Sequence, residues 1–316
     1  MRFFFVCTIL ICAIFRVNSF DECPEQIREF PFLASLHYNK NRTCSATILS
    51  RYLAVTAASC VYEKMWMGKN IQFTLVFGTS SGDYTEDPHN SRAIIAVHCH
   101  PRYNPRLGDF DVAVVVFERI TFNATVKPLK YPSKPITSGE VVTGGWGIEH
   151  DNDTETEEQE PCEGSFELDT TRLMDIKKCR SAYSRYRQIS VTRMLCTEPM
   201  SHYTCSAEDG APLVAIRGGV GLGIASNMGK CPQPELPSVF INIHALGIKP
   251  FIDGMLNKYR YYAMRSSRGR EKTKTDNVKN NRQHTHITTS VPSTTRSTEK
   301  YDEYNYRDTK YLKKNF

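Results

Sequence analysis

The length of its apolar runs constrains this chain more than any other feature. Ala46-Thr47-Ile48-Leu49, Phe73-Thr74-Leu75-Val76-Phe77, Ala93-Ile94-Ile95-Ala96-Val97 and Val112-Ala113-Val114-Val115-Val116-Phe117 are short and lie between turn-rich segments. Runs of this kind, rich in β-branched and aromatic residues, predict strands. Only 248–262 repeats its apolar residues at helical spacing, at Ile248, Phe251, Ile252, Met255 and Leu256. About 240 residues separate Phe20 from a change of composition near Lys258, and all-β sandwiches or barrels of that size form single domains. The expectation is an all-β fold closed by one C-terminal helix.

Residues 1–19 read as a signal peptide. Arg2 precedes an almost unbroken apolar stretch over 3–15, and Val17-Asn18-Ser19 supplies a small-residue cleavage pattern. No later stretch approaches the ~20 apolar residues of a transmembrane helix. The mature chain is expected to be secreted, extracellular and without a transmembrane segment. Cleavage removes Cys7 and Cys12 and leaves nine of the eleven cysteines, an odd number. In an oxidising compartment most of these pair, and one is left over. Sequons at Asn41, Asn123 and Asn152 fit a glycoprotein of the same compartment.

The net charge of +6 hides an asymmetry. From Lys258 to Phe316 fifteen Lys/Arg face six Asp/Glu, giving +9, while residues 20–257 carry −5. Six acidic residues fall within 151–160. The sequence divides into 1–19, a domain over 20–262, and a basic tail over 263–316 containing Ser, Thr and Tyr. The tail is poor in large aliphatics and is expected to be disordered. Its Thr288-Thr289-Ser290 stretch suits O-glycosylation, and Arg265-Ser266-Ser267-Arg268 has the minimal spacing for convertase cleavage after Arg268. The tail is expected to supply attraction for an anionic cell surface or a glycosaminoglycan. No nucleic-acid partner is expected.

Six segments, in order, resemble the trypsin/chymotrypsin-type serine proteases. They are Phe30-Pro31-Phe32-Leu33-Ala34-Ser35-Leu36, Thr56-Ala57-Ala58-Ser59-Cys60, Asp109-Phe110-Asp111-Val112-Ala113-Val114, Thr143-Gly144-Gly145-Trp146-Gly147, Cys205-Ser206-Ala207-Glu208-Asp209-Gly210-Ala211-Pro212-Leu213 and Val239-Phe240-Ile241-Asn242-Ile243. The resemblance covers nearly all of 28–258. It implies two six-stranded antiparallel barrels with a cleft between them, a C-terminal helix, and disulfides Cys44–Cys60, Cys179–Cys196 and Cys205–Cys231. Cys23–Cys162 is the favoured fourth bond, leaving Cys99 as the odd thiol.

Carried over by position, the catalytic triad reads Ser59, Asp111 and Asp209. Acyl transfer in this family needs a hydroxyl nucleophile, an imidazole to take its proton and a carboxylate to orient the imidazole. Only the carboxylate survives. A hydroxyl does not act as general base near neutral pH, and a carboxylate attacking an amide is expelled more readily than the amine. Ala207 takes the place of the oxyanion-loop glycine, and Glu208 that of the aspartate receiving the new N-terminal amine on activation. Tyr203 stands at the base of the specificity pocket, with Ser226, Met228 and Ser238 at its other positions. No Arg/Lys-Ile-Val-Gly-Gly activation site precedes Phe30.

The resemblance therefore implies a catalytically inactive serine protease homologue of an insect-like secreted kind, as in haemolymph or seminal fluid. It would act as a binding or regulatory module toward a secreted protein or an active protease. One rival is a residual or altered hydrolase that uses Asp111, Asp209 and Glu208 as clustered carboxylates. A second is a basic-tailed adaptor for anionic surfaces. No cofactor is expected. No metal is expected either, because His98-Cys99-His100 and His284-Thr285-His286 lack further ligands.

Overall fold

The structure, a computed structural model, describes residues 26–66, 72–130, 134–146, 167–199, 208–226 and 236–260. Strands β1 (Leu33–Tyr38), β2 (Asn41–Ile48), β3 (Leu53–Thr56), β4 (Phe73–Phe77), β5 (Ser91–Cys99) and β6 (Ala113–Phe117) close a first barrel in the order β1-β2-β3-β6-β5-β4. Strands β7 (Glu140–Gly145), β8 (Glu167–Met174), β9 (Met194–Thr197), β10 (Pro212–Ala215), β11 (Val220–Ala225) and β12 (Ser238–Asn242) close a second, ordered β10-β11-β12-β9-β8-β7. Every strand pair within the two barrels is antiparallel. Closure pairs every strand on both sides and leaves no open sheet edge.

The unbroken apolar run of β6 follows from where the strand sits. All five of its residues are buried. Val115 and Phe117 fill the first barrel with Ala34, Ile48, Leu75 and Phe77. Val114 and Val116 turn the other way, into a cluster with Ile224, Val239 and Ile241 of the second barrel. Period-2 alternation therefore carries no polar face here, because both faces of the strand meet apolar neighbours. The second barrel has its own filling of Val141, Leu213, Ala215, Leu222 and Phe240.

A helix, α2, runs over 248–260, where the described residues end. Ile248 and Ile252 are fully buried in the inter-barrel cluster. A second helix was not legible in the sequence: α1, Ile176–Ala182. It is short and heavily charged, but Asp175 caps it, accepting from the Lys177 and Lys178 amides at 2.8 and 3.1 Å. Disulfides join Cys44 to Cys60 and Cys179 to Cys196. The pairs expected at Cys205–Cys231 and Cys23–Cys162 lie outside the described residues. Cys99 is a free, partly buried thiol 3.9 Å from the Met65 sulfur.

Candidate functional site: a buried carboxylate between the barrels

Asp111 lies two residues before β6 and is fully buried. Its orientation begins with Phe110, a non-glycine residue in the left-handed region at φ 54°. Such a backbone costs about 1–2 kcal/mol, and the surroundings hold it in place. The Phe110 ring stacks on His100, with centroids 4.6 Å apart, and lies under the Arg102 and Arg193 guanidiniums at 4.3 and 4.7 Å. Arg193 in turn grips Asp109 with two hydrogen bonds, of 2.7 and 2.6 Å. The turn that aims Asp111 inward is therefore pinned from both sides.

The Asp111 carboxylate accepts three hydrogen bonds. The Ser59 amide donates to Oδ1 at 2.7 Å, the Ser59 hydroxyl to Oδ2 at 3.1 Å, and the Ser226 hydroxyl to Oδ2 at 2.7 Å. Burial raises its pKa above the ordinary carboxylate value, while the serine bonds and the Arg187 guanidinium oppose the rise. Arg187 donates to the Ser226 carbonyl at 3.5 Å and is electrostatically coupled to Asp111 and Asp209. Its own pKa is lowered, first by burial, with Tyr183, Asp111 and Asp209 acting against the fall. Sequence reasoning did not find Arg187. It lies in the segment after α1, where no motif marks it.

Ser226, expected at the specificity pocket, donates its hydroxyl to Asp111. Ser238 is buried in β12, and its hydroxyl finds no hydrogen-bond partner among the described residues. Tyr203, Ala207 and Met228 lie outside the described residues. Asn41 and Asn123 are exposed. The Asn123 side-chain oxygen accepts from the Thr125 and Val126 amides. Asn152 lies outside the described residues.

Residues 208–210 are stitched to the first barrel. The Asp209 carbonyl accepts from the Ser45 amide at 2.9 Å, and the Gly210 carbonyl from the Thr47 hydroxyl at 3.2 Å. Gly210 adopts φ +90°, and a Cβ there would stand 2.1 Å from the Ser45 carbonyl oxygen. Only glycine fits this position. Glu208 is engaged by the first barrel: Ser45 Oγ donates to it at 3.1 Å, and the Arg42 guanidinium lies 3.4 Å away. Its raised pKa comes from burial, against Arg42 and Ser45, and not from a neighbouring carboxylate.

Three of the described histidines are engaged elsewhere. His37 bonds Ser35 and the Gly82 carbonyl, and His98 bonds the Tyr259 hydroxyl. The His100 Nε2–H donates to the Gly247 carbonyl, while its Nδ1 accepts from the Arg102 amide. Burial depresses the pKa of both His37 and His100. Among the described residues no three His, Cys, Asp or Glu side chains converge as metal ligands. Among them, too, no helix is long and apolar enough to cross a membrane.

Two six-stranded barrels with an inward-facing aspartate at their junction define a class of two-barrel β-proteins built like the serine proteases. The family profile described as Trypsin matches residues 21–252, and the chain belongs to the trypsin family. Hypodermin-A of Hypoderma lineatum is 24% identical over 225 residues, covering 69% of this chain and 80% of the relative. Trypsin alpha of Drosophila erecta is 22% identical over 222 residues, covering 70% and 81%. Serine protease VLSP-1 of Macrovipera lebetinus is 28% identical over 230 residues, covering 71% and 81%.

Proposed function

We propose that this trypsin-family chain is a secreted, non-catalytic homologue that works as a binding or regulatory module. The observation that carries the reading is the bonding of Asp111. In a working triad that carboxylate accepts from an imidazole and holds its tautomer. Here the side chain that donates from the position of that imidazole is the Ser59 hydroxyl, which does not relay a proton as an imidazole does. Asp209, at the nucleophile position by family resemblance, carries a carboxylate where acyl transfer needs a hydroxyl. Loss of one triad member typically lowers the rate by a factor of about 10⁴ to 10⁶, and two are replaced in this reading.

The curated relatives bear the names of proteases, which keeps hydrolysis as the competing activity. A hydrolase built on clustered carboxylates finds less support. Asp111 and Glu208 each owe their raised pKa to burial, and their carboxylates bond different partners. A protease-like cleft and its loops form a recognition surface that survives loss of catalysis. Such a surface would sequester a substrate of an active protease or assist that protease. The test is a fluorophosphonate probe on the full secreted chain. No labelling is expected, and labelling that disappears on boiling would overturn the reading.

A further inference from the structure

The segment from α1 to Ile189 carries one sign of charge. Lys177, Lys178, Arg180, Arg185 and Arg187 are its ionisable cations, and it contains no Asp or Glu. Lys177, Lys178, Arg180 and Arg185 are exposed, and none forms an ion pair with a described carboxylate. Arg180, Arg185 and Arg187 line an open cavity of about 550 Å³, together with Ser181, Ser184, Tyr186, Gln188 and Ile189. Like charges placed this close repel one another.

The fold holds the cluster together all the same. Cys179 is tied to β9 through Cys196, Asp175 caps the first turn, and the Tyr183 hydroxyl donates to the Pro237 carbonyl at 2.5 Å.

We infer that this cavity, which Arg187 also lines, is a binding site for a sulfated polysaccharide, independent of whether the cleft is catalytic. Arginine forks match the geometry of sulfate oxygens. Ser181, Ser184 and Gln188 offer neutral donors and acceptors of the kind that sugar hydroxyls use. Tyr186 is 62% exposed and offers a flat aromatic face against which a sugar ring can lie. A purely acidic peptide would use the cations and leave the aromatic face without a role. The attraction for polyanions therefore does not reside in the basic tail alone.

The test uses the full chain and two readouts. Sucrose octasulfate should protect Arg180 and Arg185 from phenylglyoxal while Arg119 and Arg217, exposed elsewhere, stay reactive. Equal protection at all four overturns the site. On heparin, Arg180→Ser with Arg185→Ser should elute at lower salt than Lys127→Ser with Lys130→Ser, which removes the same charge. It should also lower the slope of log affinity against log salt by about two, one for each lost contact. Identical elution of the two pairs overturns the proposal and reduces the effect to net charge. If the arginine pair weakens retention on polyglutamate as much as on heparin, the occupant is an acidic peptide and the saccharide assignment is wrong.

Discussion

Ser59 and Asp111 are joined twice, once by the Ser59 amide at 2.7 Å and once by its hydroxyl at 3.1 Å. Ser226 adds a third bond, at 2.7 Å, to the oxygen that the Ser59 hydroxyl also uses. Hydrogen bonds to a charged group contribute roughly 1.5–3 kcal/mol each. Ser226→Ala should therefore destabilise the fold by about 2 kcal/mol, and Ser59→Ala by less, since its amide remains. The double change should depart from additivity, because the two hydroxyls share one acceptor oxygen. Chemical denaturation of the four species checks this. Strict additivity would show that the hydroxyls do not act on a common carboxylate.

The raised pKa of Asp111 gives a signed dependence on pH. The folded state holds this proton more tightly than the unfolded state does. Its contribution to stability is therefore complete below the unfolded pKa of about 3.9 and is lost as pH rises through the folded value. Compared with Asp111→Asn, the native chain should lose stability over that rise. Arg187→Met removes a group that lowers the Asp111 pKa, so the loss should extend to higher pH. Parallel pH–stability curves for the native chain and Asp111→Asn would contradict the burial account.

Gly210 should tolerate no side chain. Gly210→Ala places a Cβ 2.1 Å from the Ser45 carbonyl oxygen and 2.4 Å from the Thr56 hydroxyl, at φ +90°. Backbone strain and overpacking together should cost at least about 3 kcal/mol. A melting temperature within a few degrees of the native chain's, by about 3 °C or less, would mean that residues 208–210 are not held against β2 as described.

Cys99 should be chemically silent in the folded protein. Burial, with Asp111 adding to it, pushes its thiol pKa up to about 12, so little thiolate exists near neutral pH. Iodoacetamide at pH 8 should label Cys99 only after unfolding. Rapid labelling of the native chain would show an open thiol. The Cys44–Cys60 bridge spans 16 residues and should contribute about 3 kcal/mol, measured on the paired alanine variant.

The strands were legible because their apolar runs are short and bounded by turns, and β4 and β6 coincide closely with two of those runs. The both-sided burial of β6 belongs to the packing of one barrel on the other, which no local pattern encodes. The C-terminal helix announced itself through Ile248, Ile252 and Met255, whereas α1 is too short and too charged to show a period. Asp111 stood out through the family resemblance. The turn of Ser226 onto it joins residues 115 positions apart, and the approach of Arg187 is equally a product of folding. The left-handed Phe110 was invisible for a related reason: its stability depends on His100, Arg102 and Arg193 meeting around its ring.

The most direct test of the non-catalytic reading is a cleavage assay that presupposes no nucleophile. The purified full chain is incubated with a denatured-protein peptide library, and new termini are read by mass spectrometry beside Ser59→Ala and Asp209→Ala variants. The account predicts no termini above the buffer control for the native chain. Termini made by the native chain and abolished by either substitution would contradict it and establish a hydrolase at this cleft.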